Sequence, residues 1–155
     1  YEIIDPVTLY LCETAHLRPA SLPRAQSYCI WEPLHIMREI WATGGIRERR
    51  IALMHRVQTP KTALLARSGD SPAGVGFLAL DGEIAMLHAV EVLPAFRRTG
   101  VAKKLMAQAA KWAEDHGAKY VVLMTTRDNQ AANRLYSSLG MRPVGHYHYR
   151  IKDTT

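Results

Sequence analysis

Four basic residues crowd one short stretch of this chain, where Arg97-Arg98-Thr99-Gly100 runs into Val101-Ala102-Lys103-Lys104. If a helix begins there, its first N–H groups lack internal partners and its dipole presents a positive pole, while a glycine lets an anion come close to the backbone. The chemistry predicted is phosphate or pyrophosphate binding, with Arg97, Arg98, Lys103 and Lys104 adding positive potential. A plain helix start with a solvated basic turn would carry the same residues.

Such a turn needs a strand before it and a helix after it, and the pattern supplies both. Residues 63–67, 74–80 and 83–92 read as three antiparallel strands, divided by Gly69-Asp70-Ser71-Pro72 and by Asp81-Gly82, a type I′ hairpin signal. Residues 101–116 carry Leu105, Met106, Ala109, Trp112 and Ala113 on one helical stripe, with Gly117 at the stop. The nearly all-apolar residues 120–125 predict a central strand covered on both faces. Asp128 or Asn129 can cap a helix bearing Ala132, Leu135, Tyr136 and Leu139, and residues 141–152 close as a polar and aromatic strand.

Earlier in the chain, residues 32–43 and 46–57 read as helices, the second rich in arginine on a solvated face with Ile51, Leu53 and Met54 inward. Residues 1–10 suggest a strand interrupted or turned at Pro6, and residues 15–26, with Pro19 and Pro23, a connector with little regular structure.

The 155 residues suit one domain, and 48% hydrophobic with 22% charged residues places them among ordinary globular chains. No apolar run approaches the roughly 20 residues of a bilayer span, and the opening has no basic-then-apolar leader pattern, so the expectation is a cytoplasmic protein without membrane association. Cys12 and Cys29 have no metal-ligand spacing and are expected as two buried thiols. The net charge of +6 fixes only the sign of a partner. Nucleic-acid binding through the basic residues 47–56 lacks interleaved aromatics or a motif, and is not expected.

The segment Leu87-His88-Ala89-Val90-Glu91-Val92-Leu93-Pro94-Ala95-Phe96-Arg97-Arg98-Thr99-Gly100-Val101-Ala102 resembles the acyl-CoA-binding motif of the GNAT superfamily, a fourth strand followed by Arg/Gln-x-x-Gly-x-Gly/Ala. Arg97, Gly100 and Ala102 fill its three defining positions. Asn129-Gln130-Ala131-Ala132-Asn133-Arg134-Leu135-Tyr136-Ser137-Ser138-Leu139-Gly140-Met141 resembles the second family motif, Asn-x-x-Ala-x-x-Leu-Tyr-x-x-x-Gly-Phe, with Met141 in place of Phe. The resemblance covers about residues 51–151. It implies an α/β (α+β) fold with a mixed central sheet, an antiparallel N-terminal meander, splayed fourth and fifth strands and helices on both faces. The domain would span 28–152, with a tail at 153–155; residues 1–27 stand apart and resemble the closing strand of a preceding GNAT-like half.

The same resemblance implies transfer of an acetyl group from acetyl-CoA to a primary amine of a small molecule or protein. The backbone of Val90 and Val92 would hold the pantetheine arm, and the amides of Arg98, Thr99, Gly100, Val101 and Ala102 the pyrophosphate. Asn129 and Asn133 would contact the cofactor, though a helix cap accounts equally for Asn129. Tyr136 occupies the general-acid position; packing on the core with its hydroxyl tied to backbone is its other reading. Glu91 and His88 are the bases to weigh, Glu91 preferred, and alternation puts them on opposite faces of a regular strand unless a bulge intervenes. His146 and His148, with Tyr147 and Tyr149, either line the acceptor pocket or merely form a strand. No metal is implied. A homodimer, or packing against an N-terminal GNAT-like half, is the association expected, and a catalytically silent acyl-CoA-binding module is the alternative function.

Overall fold

Alternation along residues 61–68 sends Leu64 and Ala66 into one apolar cluster and Ala63 and Leu65 into another. A strand whose successive side chains are buried on opposite sides must be covered on both faces. The computed structural model describes residues 2–17 and 24–152. In chain order its elements are β1 (Glu2–Glu13), α1 (Thr14–Leu17), β2 (Ser27–Ile30), α2 (His35–Thr43), α3 (Glu48–Arg56), β3 (Lys61–Ser68), β4 (Ser71–Asp81), β5 (Ile84–Val92), α4 (Val101–Asp115), β6 (Tyr120–Thr126), α5 (Gln130–Ser138) and β7 (Arg142–Ile151), with a 3-10 turn over Pro94–Phe96.

One seven-stranded sheet runs in the order β2-β3-β4-β5-β6-β1-β7. β5 and β6 pair in parallel, and the remaining neighbours are antiparallel. α4 and α5 pack on one face with Leu105, Met106, Ala109 and Tyr136, and α2 and α3 on the other with Met37, Trp41, Ile51 and Met54. The mixed sheet, meander and two helical layers agree with the expected fold.

β1 lies inside the sheet, with Val7 to Glu13 paired to β6 and Glu2 to Leu11 paired to β7. Pro6 does mark an irregularity: the register shifts between Ile4 and Val7, and Asp5 has φ of 46°. Tyr10 also braces α5, donating its hydroxyl to Asn133 Oδ1 at 2.7 Å and setting its ring 5.8 Å from that of Tyr136. Tyr10→Phe should therefore lower stability by about 1 kcal/mol in urea unfolding, the usual worth of one such bond. An unchanged midpoint would mean the hydroxyl does not hold α5.

Smaller differences have local causes. β2, four residues at the sheet edge, was not anticipated; its Ser27 hydroxyl donates to Gln108 Oε1 on α4. The connector begins with the one-turn α1, and its residues 18–23 lie outside the described residues. Leu53 is 56% exposed rather than inward, and Cys29 is exposed while Cys12 is buried, both as free thiols. Asp81 pairs with Ile84, so the hairpin turn centres on Gly82 and Glu83; only Gly82 has positive φ, at 58°, which excludes type I′. Among the described residues no helix is long and apolar enough to cross a membrane, and no cluster of three His, Cys, Asp or Glu could hold a metal ion.

Candidate active site

The last third of β5 is irregular. Phe77 of β4 faces His88 and Val75 faces Glu91, so one intervening residue on β4 opposes two, Ala89 and Val90, on β5. This is a β-bulge, with Ala89 at φ of 54°. Its displaced carbonyl, that of Ala89, accepts a 2.8 Å bond from the indole N–H of the fully buried Trp41 on α2. The extra residue cancels the alternation that separates His88 from Glu91. Both now share the face of their partners Phe77 and Val75, beneath α2 and α3.

The bulge also opens the sheet. β5 and β6 pair from Ile84↔Tyr120 to Leu87↔Leu123 and no further, although β5 continues to Val92 and β6 to Thr126. Leu93 donates its N–H to Ala73 on the β4 side. Successive peptides alternate in direction in the regular stretch after the bulge, so the N–H and C=O groups of Val92 point to the opposite edge, toward the gap. Crevices at the carboxyl ends of parallel strands are the usual ligand sites of α/β sheets.

Beyond the gap lies the basic turn. Arg98 and Gly100 take φ values of 61° and 84°, and the first α4 bond is Lys104 N–H to the Gly100 carbonyl at 3.1 Å. The amides of Val101, Ala102 and Lys103 therefore precede any intrahelical acceptor. A Cβ built on Gly100 meets no atom within 4 Å, so space over the turn is open. Arg97 and Lys103 are exposed here, whereas Lys104, expected among the anion's neighbours, turns away to the Gln26 side chain and the Arg67 carbonyl, both at 2.8 Å.

On the α2/α3 side the gap widens into a hollow of about 180 Å³ between Leu87, His88 and Ala89 of β5 and Met124, Thr125 and Thr126 of β6, closed by Val7, Arg50 and Tyr147. Tyr147 thus reaches the site, while His146 lies 3.4 Å from the Thr8 hydroxyl and His148 beside Arg150. A larger hollow, about 310 Å³, lies where β6 begins, lined by Glu13, Thr14 and Lys119 among others. It shares no residue with the bulge or the turn, and size alone does not make it the site.

Tyr136 approaches from the other face. Its ring is buried and its phenol, pushed up to about 12 by burial, stays protonated at neutral pH. Among the described residues its hydroxyl has no hydrogen-bond partner, so it is not tied to backbone. Burial raises the Glu91 carboxyl above the ordinary 4.5, opposed by Arg97 and Arg50. Burial also lowers the His88 imidazole below 6.5, and Arg50 lowers it further. Asn129 caps α5 through Ala132 N–H at 3.2 Å. Asn133, expected as a cofactor contact, uses its amide internally: Nδ2 donates toward the carbonyls of Thr126, Arg127 and Asn129, and Oδ1 accepts from Tyr10.

Three contributors escaped sequence reasoning. Arg50 read as part of a solvated face, Trp41 as a core residue, and Gly44 as a helix stop. Gly44 leaves the space that the Glu91 carboxyl fills, since a Cβ there would stand 2.1 Å from Glu91 Cδ. No spacing marked any of them.

A mixed sheet opened between two parallel strands, with an exposed basic turn at the mouth of the opening, is the GCN5-related acetyltransferase fold. The chain belongs to the acetyltransferase (GNAT) family, whose model matches residues 27–141. It is 26% identical over 100 residues to the uncharacterized N-acetyltransferase YobR of Bacillus subtilis, covering 64% of this chain and 40% of that one. Over 57 residues it is 32% identical to the aminoglycoside N(6')-acetyltransferase type 1 of Salmonella typhimurium, covering 37% and 39% of the two chains. The solved AAC(6')-Iy in complex with the bisubstrate analog CoA-S-monomethyl-acetylneamine superposes with a TM-score of 0.62 at 16% identity, over 83% of this chain and 97% of that one. The matching stretches span about half or less of the curated relatives' length.

Proposed function

We propose that this chain transfers the acetyl group of acetyl-CoA to a primary amine by direct attack. The observation that carries the reading is the bulge at Ala89–Val90, which opens the β5–β6 gap and turns Glu91 and His88 to one face of it. The residues present suit the cofactor: the gap edge of β5 offers the Val92 peptide to an extended amide-bearing arm, and the turn offers free amides, Arg97 and Arg98 to a pyrophosphate. Acetyl-CoA supplies the activated acyl group as a thioester. Glu91, or His88 beside it, takes the proton of the amine entering from the α2/α3 side, and Tyr136 donates one to the departing sulfur from the α5 side. The new bond is C–N and the broken bond C–S, so an N-acetyl amine and the free CoA thiol leave. Acid and base thus work from opposite faces, through the opening between β5 and β6.

The turn has a direct test. A ligand held a hundredfold above its dissociation constant stabilises the folded state by about 2.7 kcal/mol, so acetyl-CoA should raise the thermal midpoint of the wild type. Gly100→Asp projects a negative side chain into the open space above the turn, and the acetyl-CoA shift should vanish in that variant. An undiminished shift would move the cofactor off this turn.

A further inference from the structure

The hollow on the acceptor side has an uneven charge. Among the described residues no carboxylate lines it, and its fixed cation is Arg50. Two arginines of the structure have carboxylate partners, Arg38 with Glu48 at 3.0 Å and Arg67 with Asp70 at 2.8 Å. Arg50 forms no ion pair among the described residues, and its guanidinium stands near enough to act on both His88 and Glu91. A guanidinium fork at a hollow's wall is suited to a carboxylate, which it binds in a planar two-point geometry. A polycation would meet the like charge of Arg50 there. Volume points the same way, since about 180 Å³ lies below the roughly 300 Å³ at which pockets begin to enclose drug-sized ligands.

We propose that the acceptor is a small amino acid, its carboxylate held by Arg50 and its amine turned toward Glu91 and His88. The proposal rests on the acetyl-transfer reading and narrows its substrate to a primary amine that bears a carboxylate. It departs from the polycationic substrates named for the aminoglycoside acetyltransferases. The product is an N-acetyl amino acid. The amine nitrogen forms the amide bond as the C–S bond breaks, its proton passes to Glu91 or His88, and the sulfur takes one from Tyr136. Because the amine enters neutral and the carboxylate is unchanged, Arg50 binds the same group before and after transfer. Arg50 is accordingly a specificity-determining residue.

The test compares common L-amino acids with their own primary amides, and with spermidine and neamine, by calorimetric titration into the CoA-saturated chain. At least one acid should bind tenfold or more tightly than its amide. Arg50→Ala should erase that preference, and Arg50→Lys, which keeps the charge and loses the fork, should retain part of it. Arg50 is exposed, so neither variant threatens the core. The proposal is overturned if no acid binds better than its amide, if the polycations bind best, or if Arg50→Ala leaves the preference intact. Turnover of the same panel keeps the two readings apart. Acetylation of amides and polyamines without regard to a carboxylate leaves acetyl transfer standing and removes the role of Arg50. Acid-selective binding with no acetylation of any amine sustains the role of Arg50 and removes the transfer reading.

Discussion

Tyr136→Phe should slow acetyl transfer by roughly 10²–10⁴-fold, the span expected when a general acid is removed. Acetyl-CoA affinity should hardly change, because the ring keeps its place against Tyr10. Stability should hold too: the hydroxyl has no partner among the described residues, so its removal leaves no polar group stranded. Single-turnover rates with an identified acceptor, beside acetyl-CoA titrations and unfolding curves, separate these effects. The physical basis is burial, which drives the phenol to about 12 and keeps its proton in place through the neutral range. A variant that transfers acetyl at the wild-type rate would leave protonation of the sulfur to solvent and make Tyr136 a packing residue.

Glu91→Gln should move activity and stability in opposite directions. The folded-state pKa of Glu91 is raised above 4.5, so the folded chain holds this proton more tightly than the unfolded chain does. The stability tied to that proton is present below the unfolded value and is lost as pH rises through the folded one. At neutral pH the ionised carboxylate is therefore a cost to folding that glutamine removes, and the midpoint of Glu91→Gln should equal or exceed that of the wild type. Transfer should meanwhile fall by roughly 10²–10⁴-fold near pH 7 if Glu91 is the base, recovering as pH rises and more of the amine is neutral. The acid limb identifies the base. Glu91 is shifted upward from 4.5 and His88 downward from 6.5, and the limb that disappears with a substitution belongs to the residue removed. A Glu91→Gln variant with the wild-type profile would transfer the role to His88.

The two motifs were legible because each is local. The run from Arg97 to Ala102 specifies a turn and a helix start within six residues, and α5 carries its cap, its phenol and its stop in one stretch. The meander and α4 followed from period alone. The bulge was not legible, because Ala89 is a residue type that marks no bulge and its irregularity depends on Trp41, 48 positions away, supplying a donor for the displaced carbonyl. The same distance hid Arg50 and Gly44, whose roles come from α2 and α3 lying over β5. The Asn133 amide, like that of Asn129, lies near the start of α5, where side-chain amides find backbone groups, and it meets the carbonyls of Thr126, Arg127 and Asn129.

The position of β1 bears on how the chain reaches this state. Its partners are β6 and β7, more than a hundred residues downstream, so β1 can take its place only after both of those strands have been made. Closing so long a loop is entropically unfavourable, and chains whose pairings are this remote in sequence fold slowly. Val7, Tyr10 and Cys12 of β1 are all buried in the folded chain, so the apolar side of this strand depends on those remote pairings. Refolding should therefore be limited by the insertion of β1 between β6 and β7.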